Sequence, residues 1–138
     1  MATSAKTFSY TVSVDRDGTA RSAEGGSPLP EEEAWSPEHL VLAGLVRCSL
    51  ASMEHTARQA SLDSEGAGSA HAVVTRRDDD GLYAFVDIQA TLEVDLAPAP
   101  QPGALAELVA EAERGCFVSN SLTPKPTHRW IVNGQEVS

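Results

Sequence analysis

The sequence predicts an α+β fold, and three observations carry that reading. Apolar residues alternate with a period of two from Phe8 to Val14, and strand patterns recur at His71–Arg76 and Tyr83–Val94. They recur with a helical period from Ser36 to about Ala60 and again from Ala104 to Arg114. The order is two or three strands, a long helix, two long strands, a helix and a final strand. Strands and helices do not interleave regularly, which argues against a doubly wound parallel sheet. The chain has 138 residues, with no internal repeat and no linker, and reads as one domain over 1–138.

In the first strand Phe8, Tyr10, Val12 and Val14 share a face. Asp17-Gly18 then reads as a hairpin turn, with Thr19 to Ser22 as a short return strand. Glu24 to Ala34, rich in Gly, Pro and Glu, reads as an acidic loop. Ser36-Pro37-Glu38 is a helix start: a capping hydroxyl, a proline suited to the first helical position, and a carboxylate at the positive end of the dipole. Along that helix Val41, Gly44, Cys48, Ala51 and His55 form one stripe, widened by Leu42, Leu45 and Leu50. Such coverage predicts burial on several sides, as for a central helix. Ser61 to Ser69 reads as a loop. His71–Arg76 and Tyr83–Val94 are strands joined through Asp80-Gly81. Pro98 to Pro102 breaks the chain. The second helix turns Leu105, Leu108, Val109 and Ala112 inward, and Gly115 ends it directly before Cys116. Trp130 to Val132 is a last short strand, closed by Asn133-Gly134.

Composition narrows the functional classes. A 41% hydrophobic content supports a packed core, filled mostly by aliphatic residues because aromatics are sparse. The formal net charge of −10 argues against nucleic-acid binding and against adhesion to anionic lipid. No apolar run approaches the ~20 residues that cross a bilayer. The polar opening segment, Met1 to Tyr10, lacks the apolar core of a signal peptide. A cytoplasmic protein is therefore expected, with no membrane and no nucleic-acid partner. There is no nucleophile elbow, no Walker loop, no dinucleotide fingerprint and no Cys-x-x-Cys. The histidines at 39, 55, 71 and 128 show no metal spacing, and core or surface roles are expected of each. His55, two turns beyond Cys48, is read as packing. No metal and no cofactor is expected. Chemistry is left to Cys48 and Cys116, which in a reducing compartment are either inert thiols or a working pair.

The segments around these cysteines carry a resemblance. Ser36-Pro-Glu-His-Leu-Val-Leu-Ala-Gly-Leu-Val-Arg-Cys48 resembles the reactive-cysteine helix of the osmotically inducible protein C / organic hydroperoxide resistance (OsmC/Ohr) family. Cys116-Phe-Val-Ser-Asn-Ser-Leu resembles its second-cysteine segment, and Trp130-Ile-Val-Asn-Gly its closing strand. The likeness spans nearly the whole chain. It implies an OsmC-like fold, with antiparallel sheets wrapped around a long central helix in an intertwined homodimer. It also implies a thiol peroxidase that reduces organic hydroperoxides at sites on the dimer interface and is recycled by an external dithiol; family members use lipoyl groups or small thiols. Residue by residue, Cys48 takes the attacking position and Cys116 the resolving one. Glu38 matches the glutamate ten residues before the reactive cysteine. Arg16 matches the activating arginine of the first hairpin, with Arg21 as its rival. Two positions depart from the family: Phe117 replaces a proline, and Arg47 stands where a small residue precedes the reactive cysteine.

One geometric expectation follows from the residues themselves. On a continuous helix, ten residues separate Glu38 from Cys48 by ~15 Å along the axis. A shared site then needs a second copy to bring its Glu38 alongside Cys48, or a break in the helix. Two other classes stay open at this level. One is a non-catalytic, dimeric small-molecule-binding protein, in which the thiols lie too far apart to bond. The other is a redox sensor whose disulfide forms but is not cycled.

Overall fold

The computed structural model describes residues 5–137. The polar opening segment therefore lies partly, at residues 1–4, outside the described residues. The chain divides into two compact units, residues 1–37 and 38–138.

The N-terminal unit is built on a hairpin of β1 (Val12–Val14) and β2 (Ala20–Ser22), paired antiparallel with Val12 opposite Ser22. Asp17-Gly18 makes the turn as expected. Gly18 adopts a positive φ of 90°, and Asp17 Oδ1 accepts from the Thr19 N–H at 3.0 Å. The expected strand from Phe8 shortens to three residues. Phe8 and Tyr10 lie outside the strand, and with Val12 and Val14 they are exposed, so the expected apolar face is not formed within this unit.

The second unit holds α1 (Pro37–Gln59) from Glu38 onward, β3 (Asp63–Arg76), β4 (Tyr83–Ala97), α2 (Pro102–Arg114), α3 (Phe117–Asn120), β5 (Thr127–Val132) and β6 (Gln135–Val137). The four strands form one sheet in the order β3-β4-β5-β6. The expectation of purely antiparallel sheets is corrected here: β4 and β5 run parallel, with Ala90 opposite His128 and Leu92 opposite Trp130. The reason is connectivity. The β4–β5 crossover contains α2 and α3, long enough for the chain to return and enter the sheet in the same direction. Three further elements differ from the sequence reading. β3 starts at Asp63, inside the expected loop; α3 was not anticipated; and Asn133-Gly134 leads into a further strand, β6.

Alternation along β4 places Ile88, Ala90, Leu92, Val94 and Leu96 in the core. Glu93 and Asp95 face outward. β5 contributes Trp130 and Val132, and α2 contributes Leu108 and Ala112. On α1 the buried stripe is Leu45, Ser49, Met53 and Ala57. The stripe expected from the sequence is therefore rotated: Val41, Ala51 and His55 are exposed, and only Cys48 and Gly44 are half-buried. His55 is not a packing residue. The cause is Ser49, a polar residue at the centre of the true core stripe, which the apolar count passes over.

The glycines of β3 explain why Ser61–Ser69 resembles a loop. A Cβ on Gly66 would meet the Glu93 carbonyl at 2.8 Å and Leu50 at 3.2 Å; one on Gly68 would meet the Thr91 carbonyl at 2.8 Å and Val46 at 3.0 Å. These positions are small because Leu50 and Val46 of α1 press down on the strand there.

Gly115 has the same logic. Its φ of −86° is ordinary, so it is not a left-handed cap. A Cβ there would stand 2.6 Å from Ser52 Oγ, whose hydroxyl donates to the Ala112 carbonyl at 2.7 Å. Gly115→Ala is expected to cost about 1–3 kcal/mol through this overlap. Adding Ser52→Ala should return part of it, because the clashing atom is then gone. Denaturant midpoints of the two single variants and the double variant measure this coupling.

Candidate active site

The site lies where α1, the α2–α3 junction and β5 meet. Helical periodicity puts Cys48 and Ser49 on adjoining flanks of α1, Cys48 half-buried and Ser49 fully buried. Cys116 is the residue between α2 and α3, fully buried, and serves as the extended N-cap of α3. Both cysteines are free thiols.

Ser49 joins the elements. Its Oγ lies 3.5 Å from Cys116 Sγ and 3.3 Å from His128 Nε2. His128 sits on β5, and its ring is stacked beside Trp130, with centroids 6.2 Å apart and planes inclined by 13°. Trp130 in turn donates its indole N–H to Glu113 Oε1 of α2 at 2.9 Å. Three buried or half-buried polar groups are thereby satisfied in a run from Cys116 through Ser49 to His128.

The surroundings of Cys116 act on its thiol in both directions. Burial pushes the Cys116 thiol up from its ordinary value. Hydrogen bonds from Ser49 and from the Ser119 backbone pull it partly back. The Cys48 sulfur, through hydrogen bonding and charge, pushes it up again. His128 is moved the other way: burial lowers it, against the raising effects of the Glu113 charge and the Pro126 carbonyl. Its neutral form is favoured at pH 7.

Of the other residues singled out from the sequence, Arg16 and Arg21 belong to the N-terminal unit, Glu38 lies at the far end of α1, and Arg47 and Phe117 flank the two cysteines. Glu38 is exposed in the first turn of α1. The helix between Glu38 and Cys48 is unbroken, so the ~15 Å axial separation holds within one chain. Arg16 is exposed in the turn of the N-terminal hairpin and forms no ion pair among the described residues. Arg21 is held by Asp15 at 2.8 Å. Arg47 is exposed on α1, and Phe117 is half in solvent at the start of α3. Among the described residues no group of three or more His, Cys, Asp or Glu side chains is arranged to hold a metal ion, and no helix is long and apolar enough to cross a membrane.

Sequence reasoning missed Ser49 and His128. His128 is separated from Ser49 by 79 positions, and no local spacing announces the pair. The available signal was a serine inside an otherwise apolar helical stripe, because a buried hydroxyl needs partners.

The family model described as OsmC-like protein matches residues 30–130. Among solved structures, the chain is similar to the organic hydroperoxide resistance protein OhrB of Bacillus subtilis, at 21% identity over 91% of this chain and 98% of that one, with a TM-score of 0.57. It is also similar to an OsmC-like protein of unknown function from Vibrio cholerae, at 14% identity over 92% and 100% of the two chains, with a TM-score of 0.72. A third is an organic hydroperoxide resistance protein from Legionella pneumophila, at 21% identity over 94% and 98%, with a TM-score of 0.59. At such identities the likeness establishes the fold. No curated protein matches the chain.

Proposed function

Because the chain belongs to the OsmC-like protein family, we propose that it is a thiol peroxidase that reduces organic hydroperoxides to alcohols. The observation that carries this reading is the unequal pair of free thiols. Cys48 is half-exposed, and Cys116 is buried and within its influence. The accessible sulfur is the one a peroxide can reach. The buried one is protected from oxidation and poised to resolve.

In the first step the Cys48 thiolate attacks the distal oxygen of the hydroperoxide. The O–O bond breaks, the alcohol departs with a proton, and Cys48 is left as a sulfenic acid. Cys116 then displaces the sulfenic oxygen as water and forms the Cys48–Cys116 disulfide. An external dithiol, such as a lipoyl group, returns both thiols by exchange. Turnover of cumene hydroperoxide with a dithiol reductant tests the reading. A rate well above that of the dithiol alone is expected, and a rate equal to it contradicts the proposal.

The proposed working form is a homodimer, with residues 1–138 acting as one domain. The matched segment 30–130 runs across the boundary between the two units, which supports that view. Apolar side chains exposed in the single chain support a partner: Leu40 and Val41 on α1, Val73, Val74 and Val86 on the β3–β4 hairpin, and Val12 and Val14 on β1. In a twofold dimer with antiparallel α1 helices central to the assembly, Glu38 of one copy stands beside Cys48 of the other. It would hold Arg16, or Arg21 once released from Asp15, against the thiolate. The reading places the protein in the cytoplasm, where reduced thiols are maintained.

This cross-dimer assignment has a sharp test. Co-expressed heterodimers of Glu38→Gln and Cys48→Ser chains are expected to recover about half the wild-type activity, since one of the two sites is then intact. If Glu38 serves its own chain, the heterodimer stays as inactive as the two homodimers.

A further inference from the structure

The proposed peroxidase cycle leaves one step without machinery. Cys116 must lose a proton to attack the sulfenic acid, yet it is fully buried and burial holds it protonated. A free thiol with pKa ~8.5 already reacts slowly at neutral pH, and a buried one more slowly still.

We infer that Ser49 and His128 form a proton relay that activates Cys116 for disulfide formation. This inference rests on the peroxidase reading above and adds the base for its second step. The relay runs through the neutral imidazole that carries its proton on Nδ1, so that Nε2 presents a lone pair to Ser49. Ser49 then donates its O–H to Nε2 over 3.3 Å and accepts from the Cys116 S–H over 3.5 Å. Each group has one donor and one acceptor in line.

As Cys116 attacks, its S–H bond breaks and the proton passes to Ser49 Oγ. The serine proton passes to His128 Nε2. The Cys116 electron pair forms the S–S bond while the S–O bond of the Cys48 sulfenic acid breaks. The departing hydroxide is protonated to water, and the imidazolium returns its proton to solvent, so no net charge is left behind. As the S–H proton leaves and before the S–S bond closes, the Ser49 hydroxyl donates to the developing Cys116 thiolate, the sense in which Ser49 pulls that thiol down.

The groups facing this relay from each packed element are few. Cys48 comes from α1, Glu113 from α2, and Cys116 itself from the α2–α3 junction. The Glu113 carboxylate stabilises the transient imidazolium. Trp130, stacked beside the ring and bonded to Glu113, holds both in place. Ser49 and His128 are positioning residues, because neither touches the peroxide.

The test is a single turnover of the full chain with one equivalent of cumene hydroperoxide. Reaction is stopped at intervals across pH 6 to 10, and sulfenic acid and disulfide are resolved by mass spectrometry. Ser49→Ala, His128→Phe and His128→Gln are expected to form the sulfenic acid at the wild-type rate, which also reports an intact fold. Conversion to disulfide should slow by about a hundredfold at pH 7, the lower end for a positioned base. The pH profile separates a relay from mere packing. The wild-type rate should be level above about pH 6.5, whereas the variants should climb through the range where an unaided thiol ionises, ~8.5 and beyond. Wild-type disulfide rates in the variants, or slowed rates that keep the wild-type profile, overturn the relay alone. A wild type that forms neither sulfenic acid nor disulfide overturns the peroxidase reading and the relay with it.

Discussion

Cys48→Ser is expected to abolish hydroperoxide consumption, by about a thousandfold or more, equivalent to ~4 kcal/mol of transition-state stabilisation. Serine keeps the size and hydrogen bonding of the residue but is a far weaker nucleophile, so the effect isolates sulfur chemistry. Cys116→Ser should behave differently. Its first turnover proceeds normally, because the attacking sulfur is untouched, and the chain then halts as the Cys48 sulfenic acid. The contrast follows from position: Cys48 is half-exposed on α1, whereas Cys116 is sealed between α2 and α3. A stopped-flow record of one turnover followed by steady state with a dithiol separates the two variants. Equal behaviour would remove the division of labour between the sulfurs.

The largest effect on stability is expected at Trp130. The side chain is 1% exposed, donates to Glu113 and stacks beside His128. Trp130→Ala should lower the unfolding free energy by about 3–5 kcal/mol, combining lost burial with a cavity that the sheet cannot close. Trp130→Phe keeps most of the volume and removes the indole N–H. It leaves Glu113 half-buried and without this partner, at a cost of about 1–3 kcal/mol. Denaturant midpoints at unchanged slope measure both. A loss below ~1 kcal/mol for the alanine variant would mean that Trp130 does not anchor β5 and α2 to one another.

Local chemistry made much of the fold legible. Ser36-Pro37-Glu38 announces α1, which starts at Pro37. Asp17-Gly18 and Asp80-Gly81 announce the two hairpins, and both glycines take positive φ. The failures share a cause: each depends on a neighbour distant in sequence. Gly66 and Gly68 look like loop residues until Leu50 and Val46 are placed over them. The parallel pairing of β5 with β4 is decided by the crossover through α2 and α3, which strand patterning does not encode. The buried α1 stripe is offset by one residue from the one the apolar pattern predicts, because the polar Ser49 interrupts that pattern while Cys116 and His128 make its burial tolerable. In the same way the cysteines were legible as candidates through their flanking segments, but the histidine beside them was not.

The central claim is that Cys48 and Cys116 form one working redox pair. The most direct measurement is intact-protein and peptide mass spectrometry of the fully reduced chain after one equivalent of cumene hydroperoxide. The account predicts loss of two hydrogens and a single cross-linked peptide joining Cys48 to Cys116. Two unmodified thiols, or oxidation at Cys116 with Cys48 intact, would contradict it.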